Sequence, residues 1–433
     1  PTLIICYNFV NILSKKLLYC QNYCNTSVKI MAHELPSWLD EKFAAASLQG
    51  GEDKEPKVTI LNFQVSPAVA LGENYQSNIH RLQVEYSIGD SAKQSIFLLS
   101  KSPVTHGFVA SIQDKFDPFT REQTVYNELL PKLQEKVNYQ FGPRSFYSPV
   151  EKVLVLEDLK KEGYTMCERV KQLDFAHCQQ VMKTIAKFHA SSVAVQHEHP
   201  KFVERISEEY MYRDDSPIGG FVKMMAGPIM LMVCDILKNR KGCEKYADLI
   251  VSRMGNIWSS AVERFKPKAK GLNVLTHGDL WMNNILFKYN DSGEIINVKF
   301  IDYPVIRYTT PATDLAYFIW SSANEEVREN RLEELCKTYL ETLNSTLEQI
   351  GCGERLDEEE LKEDLRSLKD WLLFLICQFV PVVLSDPADA IDASDLTEED
   401  IKNPQAMFIK TLQGKTFQAA LPTIMRQYEA WLA

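Results

Sequence analysis

The side chains of Asp279, Asn284 and Asp302 are of the types that bind a hard metal ion and accept a proton. Carboxylate and carboxamide oxygens suit Mg²⁺, which usually takes one or two carboxylates together with phosphate oxygens and water. A carboxylate that is not a ligand could accept the proton of a hydroxyl group. An Asp and an Asn separated by four residues, as at Asp279 and Asn284, occur in the catalytic loop of kinases. The spacing alone is weak evidence, because both residues are common in turns.

A β-hairpin is predicted to bring these three side chains together. Apolar runs at Asn284–Tyr289 and Ile295–Ile301 are joined by an Asn-Asp-Ser-Gly sequence, which is a strong turn signal. Asn284 begins the first strand and Asp302 follows the second, so both lie at the end of the hairpin away from the turn. Asp279 is expected in a loop at that same end. Two carboxylates and one carboxamide oxygen therefore converge at one strand terminus.

The chain before the hairpin begins with strands. His80–Ile88 alternates between apolar and polar residues and is predicted to pair with Gln94–Lys101 across a Gly-Asp-Ser turn. Thr120 begins a possible capping box in front of a helical pattern, and Pro131 is expected to kink or end that helix. Lys152–Leu156 is a short apolar run suited to a buried strand.

Helical periodicity dominates the second half. Asp174 is predicted to cap one helix, and a second helix that starts near Leu332 is stopped by Gly351. The apolar run Trp371–Leu384 is too short to span a bilayer, which takes about 20 residues, and is interpreted as a buried core helix. A mixed lobe is therefore followed by a larger helical lobe, with the join near Glu157–Gly163.

The composition excludes two classes of protein. With 45% hydrophobic and 10% aromatic residues, the 433-residue chain is globular and not disordered. Its 48 basic and 58 acidic residues give a net charge of −10, so we expect no nucleic-acid partner.

The N-terminal stretch and the cysteines bear on location. We expect residues 1–30 to be a non-native or disordered extension ahead of Met31. Their apolar run Leu3–Leu13 is too short to span a membrane, so no stable membrane insertion is predicted. The ten cysteines are scattered and include no Cys-x-x-Cys pair, which favours a reducing, cytoplasmic location.

The stretch from His277 to Phe287, HGDLWMNNILF, closely resembles the catalytic loop of the ecdysteroid kinase-like family, also called CHK kinase-like. This family is related to choline kinases and aminoglycoside phosphotransferases. Similar motifs lie elsewhere in the chain: GENYQS at 72–77, FTRE at 119–122, VLEDL at 155–159 and PATDL at 311–315. The resemblance implies an α+β, two-lobed protein kinase-like fold. A small antiparallel-sheet N-lobe would span residues 31–157, and a larger, mostly helical C-lobe would span residues 158–433.

The resemblance also implies roles for individual residues. Asp279 would be the catalytic base, and Asn284 and Asp302 would bind Mg²⁺. His277 and Asp314 are interpreted as structural residues that order the catalytic loop. Contacts to ATP would come from Gly72, Asn74, Tyr75, Ser77, Lys101, Glu122, Glu157 and Leu159.

One position departs from the family pattern. The family usually has Asp-Phe-Gln at the metal-binding aspartate, whereas this chain has Asp302-Tyr303-Pro304. Proline fixes its own φ, lacks an N–H group and restricts the residue before it. We expect metal binding to be kept, whereas the local backbone geometry and the shape of the acceptor pocket stay open at this position.

The predicted function is an ATP- and Mg²⁺-dependent kinase that phosphorylates a hydroxyl of a small hydrophobic molecule. The resemblance implies an ecdysteroid or related steroid alcohol as acceptor, and we expect a monomer. Three alternatives stay open: a kinase for choline-like or xenobiotic alcohols, a non-catalytic protein that binds nucleotide or sterol, and a metal-dependent phosphoesterase. A choline-like substrate would need a cage of aromatic and acidic side chains.

Overall fold

The computed structural model describes residues 35–68, 77–104, 117–385 and 404–432. The predicted extension at residues 1–30 lies outside them. Of the first compact unit only residues 35–40 are described, and in them the Leu39 N–H donates to the carbonyl of Pro36 at 2.9 Å. The second unit, Glu41–Ala433, holds all the elements that follow.

The first part of that unit is built on a five-stranded antiparallel sheet with the order β1-β2-β3-β5-β4. The sheet confirms the predicted hairpin, because Tyr86 pairs with Gln94 in register. The apolar side chains of Leu82, Val84 and Leu98 are buried on it. Its strands are β1 Val58–Pro67, β2 Ser77–Ile88, β3 Gln94–Pro103, β4 Ser145–Phe146 and β5 Leu154–Glu157, with helix α1 Glu41–Gln49 before them.

One long helical segment crosses this sheet in three parts: α2 Pro118–Thr124, a π-helical turn Val125–Leu129 and α3 Leu130–Val137. The predicted cap at Thr120 is wrong. Asp117 is the N-cap residue, because its side chain accepts the Thr120 N–H while Pro118 occupies the first turn. Pro131 does not end the segment. The wider π-helical turn comes directly before it, where a proline would otherwise disrupt the hydrogen bonding of an α-helix.

The loop after α3 reaches the second lobe. The carbonyl of Phe141 accepts the N–H of Phe300 at 2.7 Å, and the hydroxyl of Tyr139 donates to the carbonyl of Val298 at 2.6 Å. The N–H of Phe300 and the carbonyl of Val298 are backbone groups of strand β9, Ile295–Phe300.

The second lobe contains the predicted functional hairpin. Strand β8, Ile285–Tyr289, pairs antiparallel with β9 so that Ile285 lies opposite Phe300, which confirms the prediction. Three more short strands flank this region: β6 Tyr164–Thr165, which pairs with β8, and β7 Val274–Thr276, which pairs with β10 Arg307–Thr309.

Helices make up the rest of the second lobe, as predicted. The Asp174 side chain caps the first of them by accepting the His177 N–H at 3.0 Å, and Gly351 ends a later one with a φ of +78°. They are α4 Phe175–Glu198, α5 Pro200–Ile206, α6 Pro217–Lys238, α7 Glu244–Arg253, α8 Ile257–Arg264, α9 Ala312–Ser322, α10 Glu325–Asn330, α11 Leu332–Gln349, α12 Glu358–Ser367, α13 Lys369–Gln378, α14 Val380–Val383, α15 Pro404–Gln413 and α16 Lys415–Leu432. The fold is the two-lobed α+β, protein kinase-like architecture.

Two apolar segments bear on membranes. The run predicted as a core helix forms α13 and α14, and its apolar side chains from Trp371 to Cys377 are buried. Within the described residues, α6 alone is long and apolar enough to cross a bilayer, a test that core helices of soluble proteins also pass. It packs against α7, α13 and α15.

Candidate active site

The end of the β8–β9 hairpin brings Asp279, Asn284 and Asp302 together. They lie where Lys101 of the first lobe meets Asp302 of the second, a region that we call the cleft. A 3₁₀ turn, Met282–Asn284, leads from the loop into β8. The side-chain nitrogen of Asn284 donates to the backbone carbonyl of Asp279 at 2.9 Å and to its Oδ2 at 3.0 Å. The carbonyl of Asn284 accepts the N–H of Ile301 at 3.0 Å, which fixes Asn284 beside the residue before Asp302.

Asp314 holds the loop that carries Asp279. One carboxylate oxygen of Asp314 accepts the N–H of His277 at 2.6 Å, and the other accepts the N–H of Gly278 at 2.9 Å. The imidazole of His189 lies 3.2 Å from the same carboxylate. Burial opposes ionisation, but the contact with His189 and the hydrogen bond from the Gly278 N–H, taken together with nearby imidazole charge, outweigh it and lower the pKa of Asp314. These contacts agree with the predicted structural role of Asp314.

His277 orders the same loop from its buried side. Its Nε2–H donates to the carbonyl of Ile301 at 3.1 Å, and its Nδ1 accepts the N–H of Asp279 at 3.3 Å. Burial lowers the pKa of His277, so the ring is held neutral with its proton on Nε2. The imidazole therefore connects the loop that carries Asp279 to Ile301, between the end of β9 and Asp302.

An arginine that the sequence reasoning missed supports the loop as well. Arg307 donates from Nη1 to the carbonyl of Gly278 at 3.2 Å and forms an ion pair with Glu209. Its guanidinium lies 5.5 Å from the ring centre of Tyr212 and 5.0 Å from that of Phe265. A buried arginine in the short strand β10 was the available signal, but its partner is 98 residues away.

The carboxyl group of Asp279 is buried and has a raised pKa. Burial raises the pKa of Asp279 to about 6, the Tyr317 hydrogen bond opposes this shift, and the nearby charge of Asp302 adds to it. The hydroxyl of Tyr317 donates to Asp279 Oδ1 at 2.6 Å. The sequence reasoning did not identify Tyr317, although it lies three residues after Asp314 on α9 and hence on the same helix face.

Lys101 connects the two lobes at the cleft. Its ammonium lies 2.8 Å from Glu122 Oε2, on α2, and 2.7 Å from Asp302 Oδ1. Burial disfavours the ammonium, but the carboxylates of Asp302 and Glu122 outweigh it and raise the pKa of Lys101. Three predicted site residues that are distant in sequence therefore meet in one ion-paired group.

The Asp-Tyr-Pro sequence leaves Asp302 directed at the cleft. Asp302 has a φ of +68°, and its N–H donates to the hydroxyl of Tyr126 at 3.2 Å. The Tyr303 ring is buried and stacks on Phe188 with centres 6.1 Å apart. The carbonyl of Pro304 accepts the hydroxyl of Tyr210 at 3.1 Å. Packing of Tyr303 and capping of Pro304 thus hold the unusual sequence while Lys101 retains its carboxylate partner.

The remaining predicted nucleotide contacts fall at three places. Ser77 begins β2 opposite Pro103, two residues after Lys101. The carboxylate of Glu157, at the end of β5, accepts hydrogen bonds from the backbone N–H and the Nε of Arg144 at 3.2 and 3.1 Å, and the Glu157 N–H donates to the Arg144 carbonyl at 2.9 Å. Leu159 is buried in a small cluster with Tyr164 and Leu286. Gly72, Asn74 and Tyr75 lie outside the described residues.

The donor set fits a magnesium ion. The side chain of Asp302 is 39% exposed, so its carboxylate is accessible from the cleft. The amide nitrogen of Asn284 makes both of that side chain's hydrogen bonds to Asp279, which leaves the amide oxygen as the atom that can coordinate a cation. One carboxylate and one carboxamide oxygen are hard ligands of the kind that Mg²⁺ binds together with phosphate oxygens and water.

Aromatic rings lie beside Asp279 on the side of the helical lobe. Tyr317 and Phe379 are both half-buried, with ring centres 5.2 Å apart. Trp371 stacks on Tyr317 at 6.3 Å and Trp281 meets Phe379 edge-on at 5.0 Å. We name Tyr317, Phe379, Trp371 and Trp281 the aromatic wall. Trp371 and Trp281 are buried, so Tyr317 and Phe379 provide the accessible part of the aromatic wall, and Tyr317 contacts Asp279 directly.

Among solved structures the chain is similar to a choline/ethanolamine kinase family protein from Mesorhizobium loti, with 11% identity, a TM-score of 0.36 and coverage of 89% of this chain and 97% of that one. It is also similar to a glucosamine kinase in complex with glucosamine, ADP and inorganic phosphate, with 11% identity, a TM-score of 0.35 and coverage of 78% and 94%. TM-scores this low support no residue-by-residue comparison.

No curated protein matches the chain. The sequence profile described as the ecdysteroid kinase-like family matches residues 71–352, which is more than half of the chain. The matched region includes Lys101, Glu122, Asp279, Asn284 and Asp302. The chain belongs to the ecdysteroid kinase-like family.

Proposed function

We propose that the protein is a kinase that transfers the γ-phosphoryl group of Mg-ATP to a hydroxyl of a small hydrophobic acceptor, an ecdysteroid or related steroid alcohol. The observation that carries the proposal is the convergence of Asp279, Asn284 and Asp302 beside the Lys101–Glu122 pair. A phosphoesterase built on His277 is not favoured, because this histidine is buried and uses both nitrogens within the loop.

Asp279 would act on the acceptor. Its Oδ1 or Oδ2 accepts the hydroxyl proton while the acceptor oxygen forms a bond to the γ-phosphorus and the bond to the bridging oxygen of ADP breaks. A carboxylate whose pKa is raised to about 6 is ionised at neutral pH and still basic enough to take this proton. The acceptor leaves as a phosphate ester.

Lys101 would hold the phosphates, and Glu122 would keep its ammonium in place through the contact of 2.8 Å. Asn284 and Asp302 would hold Mg²⁺, which when bound neutralises negative charge on the phosphates. Hence the residues of this chain supply binding, alignment and a proton acceptor, which are the main requirements of phosphoryl transfer.

The aromatic wall supports a hydrophobic, ring-containing acceptor. The half-buried rings of Tyr317 and Phe379 would pack against an apolar ring of the acceptor and direct its hydroxyl at the carboxylate of Asp279. Stacked aromatic rings would also attract a quaternary ammonium, so a choline-like alcohol is the second candidate. The described cysteines are all free, which supports the proposal of a cytoplasmic location.

The test is phosphoryl transfer from labelled Mg-ATP to a panel that includes ecdysteroids, other steroid alcohols, choline and glycerol. We expect transfer to steroid alcohols and a loss of roughly 10²–10⁴-fold in Asp279→Asn. Asp248→Asn, an exposed aspartate on α7, is the matched control and should keep full activity. Undiminished transfer in Asp279→Asn would remove that residue as the base. Transfer only to choline would select the second candidate, and nucleotide binding without transfer would indicate a binding protein.

A further inference from the structure

Both carboxylate oxygens of Asp279 already accept hydrogen bonds. The amide nitrogen of Asn284 donates to Oδ2 at 3.0 Å, and the hydroxyl of Tyr317 donates to Oδ1 at 2.6 Å. Burial raises the pKa of Tyr317 well above its ordinary value, so the phenol keeps its proton and is the donor in this contact. The protein therefore places a hydroxyl group of its own, that of Tyr317, against Asp279, the proposed base.

The packing of Tyr317 fixes this hydroxyl in place. Its ring stacks on Trp371, with the planes inclined by 26°, and lies against Phe379 with centres 5.2 Å apart. Trp371 is held in turn, because its indole N–H donates to the hydroxyl of Tyr212 at 2.8 Å. The contact between Tyr317 and Asp279 is thus built into the aromatic wall and not left to a mobile surface side chain.

Water is the main competitor of any hydroxylated acceptor in a kinase. A water molecule at Asp279 Oδ1 could lose its proton to the carboxylate and attack the γ-phosphorus. The bond to the bridging oxygen of ADP would then break, with release of ADP and inorganic phosphate. The phenol of Tyr317, carried by helix α9, fills that position.

We propose that Tyr317 is a positioning residue that occupies the place of the acceptor hydroxyl on Asp279, so that phosphoryl transfer to water stays slow until an acceptor displaces it. This inference rests on the proposed kinase function. Displacement requires the acceptor to bring its own hydroxyl to Oδ1 while its body packs on the aromatic wall, next to the phenol that it replaces.

The test needs no knowledge of the natural acceptor, because the probe is Mg-ATP in water. Acceptor-free release of inorganic phosphate is measured for the wild type, for Tyr317→Phe and for the double variant Tyr317→Phe/Asp279→Asn. Mg-ATP binding is measured for all three by calorimetry. Tyr246→Phe, which removes a hydroxyl from a buried tyrosine of α7, is the matched control.

We expect slow hydrolysis by the wild type and by Tyr246→Phe, and a several-fold faster rate in Tyr317→Phe with unchanged Mg-ATP affinity. The double variant should lose this gain, which would assign the added hydrolysis to Asp279 and exclude a contaminating ATPase. Damage to the fold would lower the rate, so an increase separates the proposed role from a purely structural one. Tyr317→Leu provides the same test with a side chain that cannot donate a hydrogen bond.

An equal or lower rate in Tyr317→Phe and Tyr317→Leu, with Mg-ATP binding retained, would overturn the inference and leave the kinase proposal standing. A gain that persists in the double variant would overturn it as well, because the added hydrolysis would not depend on Asp279. Failure of the wild type to bind Mg-ATP would overturn the kinase proposal itself and this inference with it.

Discussion

The ammonium of Lys101 lies 2.7 Å from the carboxylate of Asp302, 201 positions later in the chain. The first residue is on β3 of the sheet lobe, and the second follows the hairpin of the helical lobe. An opposite charge at this distance keeps Lys101 protonated in spite of its burial. The two lobes therefore meet at an ion pair in the cleft where the phosphates of ATP are proposed to bind.

Replacing Lys101 with methionine is expected to lower kcat/KM for transfer by roughly 10²–10³-fold, because a charged donor to the phosphates is lost. The fold should survive. Glu122 loses the ammonium that lowers its pKa, which burial already raises to about 7, so this carboxyl can take up a proton at neutral pH. Steady-state kinetics and thermal unfolding measure the two effects. Lys93→Met, at an exposed lysine paired with Glu85, should change neither.

Asp314→Asn is expected to lower the free energy of unfolding by roughly 3 kcal/mol and to abolish transfer. In the wild type the buried carboxylate of Asp314 accepts the N–H groups of both His277 and Gly278. The asparagine keeps one acceptor oxygen and places its amide N–H₂ group against one of these two donors. Urea denaturation monitored by circular dichroism measures the stability. The exposed Asp248→Asn should stay within about 0.5 kcal/mol of the wild type. A stable Asp314→Asn with full activity would contradict the anchoring role.

Gly278→Ala tests the space around the catalytic loop. Gly278 has a φ of +82°, and a Cβ atom there would lie 2.0 Å from the carbonyl oxygen of Val305. Gly293→Ala in the hairpin turn is a closely matched control, because its φ is +80° and its Cβ would meet no atom within 4 Å. Both variants carry the strain of a left-handed conformation, about 1–2 kcal/mol. Only Gly278→Ala should also lose transfer activity, and equal activities would show that the loop can move away from Val305.

A histidine outside the active site is predicted to make stability depend on alkaline pH. His177 Nδ1 lies 2.7 Å from Asp174 and Nε2 lies 2.9 Å from the hydroxyl of Tyr289. A hydrogen bond with Cys167 raises the pKa of His177 to about 9, burial opposes this shift, and Asp174 adds to it. The folded protein therefore binds the proton more tightly than the unfolded chain, in which the pKa is about 6.5. The stabilisation is complete below pH 6.5 and is lost as the pH rises to about 9.

The measurement is the free energy of unfolding at pH 6 and at pH 9.5 for the wild type and His177→Gln. We expect the variant to lose on the order of 1 kcal/mol of the difference between the two pH values, after allowance for partial solvent screening. The exposed His199→Gln should retain the wild-type difference. A pH dependence that is identical in His177→Gln and the wild type would show that folding does not raise the pKa of this imidazole.

The parts of the structure that follow from local sequence were predictable. The turn between β8 and β9 and the cap at Asp174 each depend on a few neighbouring residues, so the positions of Asn284 and Asp302 could be predicted. The helix start at Asp117 was missed although Pro118, a residue favoured in the first turn, follows it directly.

The support of the site was not predictable from one sequence. Tyr317 reaches Asp279 across 38 positions, and Glu209 pairs with Arg307 across 98. Such contacts depend on how helices pack against strands, which no local pattern specifies. The side chain of Glu157 illustrates the same limit, because the buried strand before it could be predicted and its ion pair with Arg144 could not.

The loop after α3 constrains how the two lobes can move relative to each other. Tyr139 and Phe141 are hydrogen-bonded to β9 of the other lobe. The C-terminal end of the helical segment formed by α2, the π-helical turn and α3 is therefore the attached end. If the helical segment turns about this attachment, Glu122, near its N-terminal end, moves further than Leu133, near its C-terminal end. The contact between Lys101 and Glu122 is therefore expected to change first when the proposed nucleotide enters or leaves.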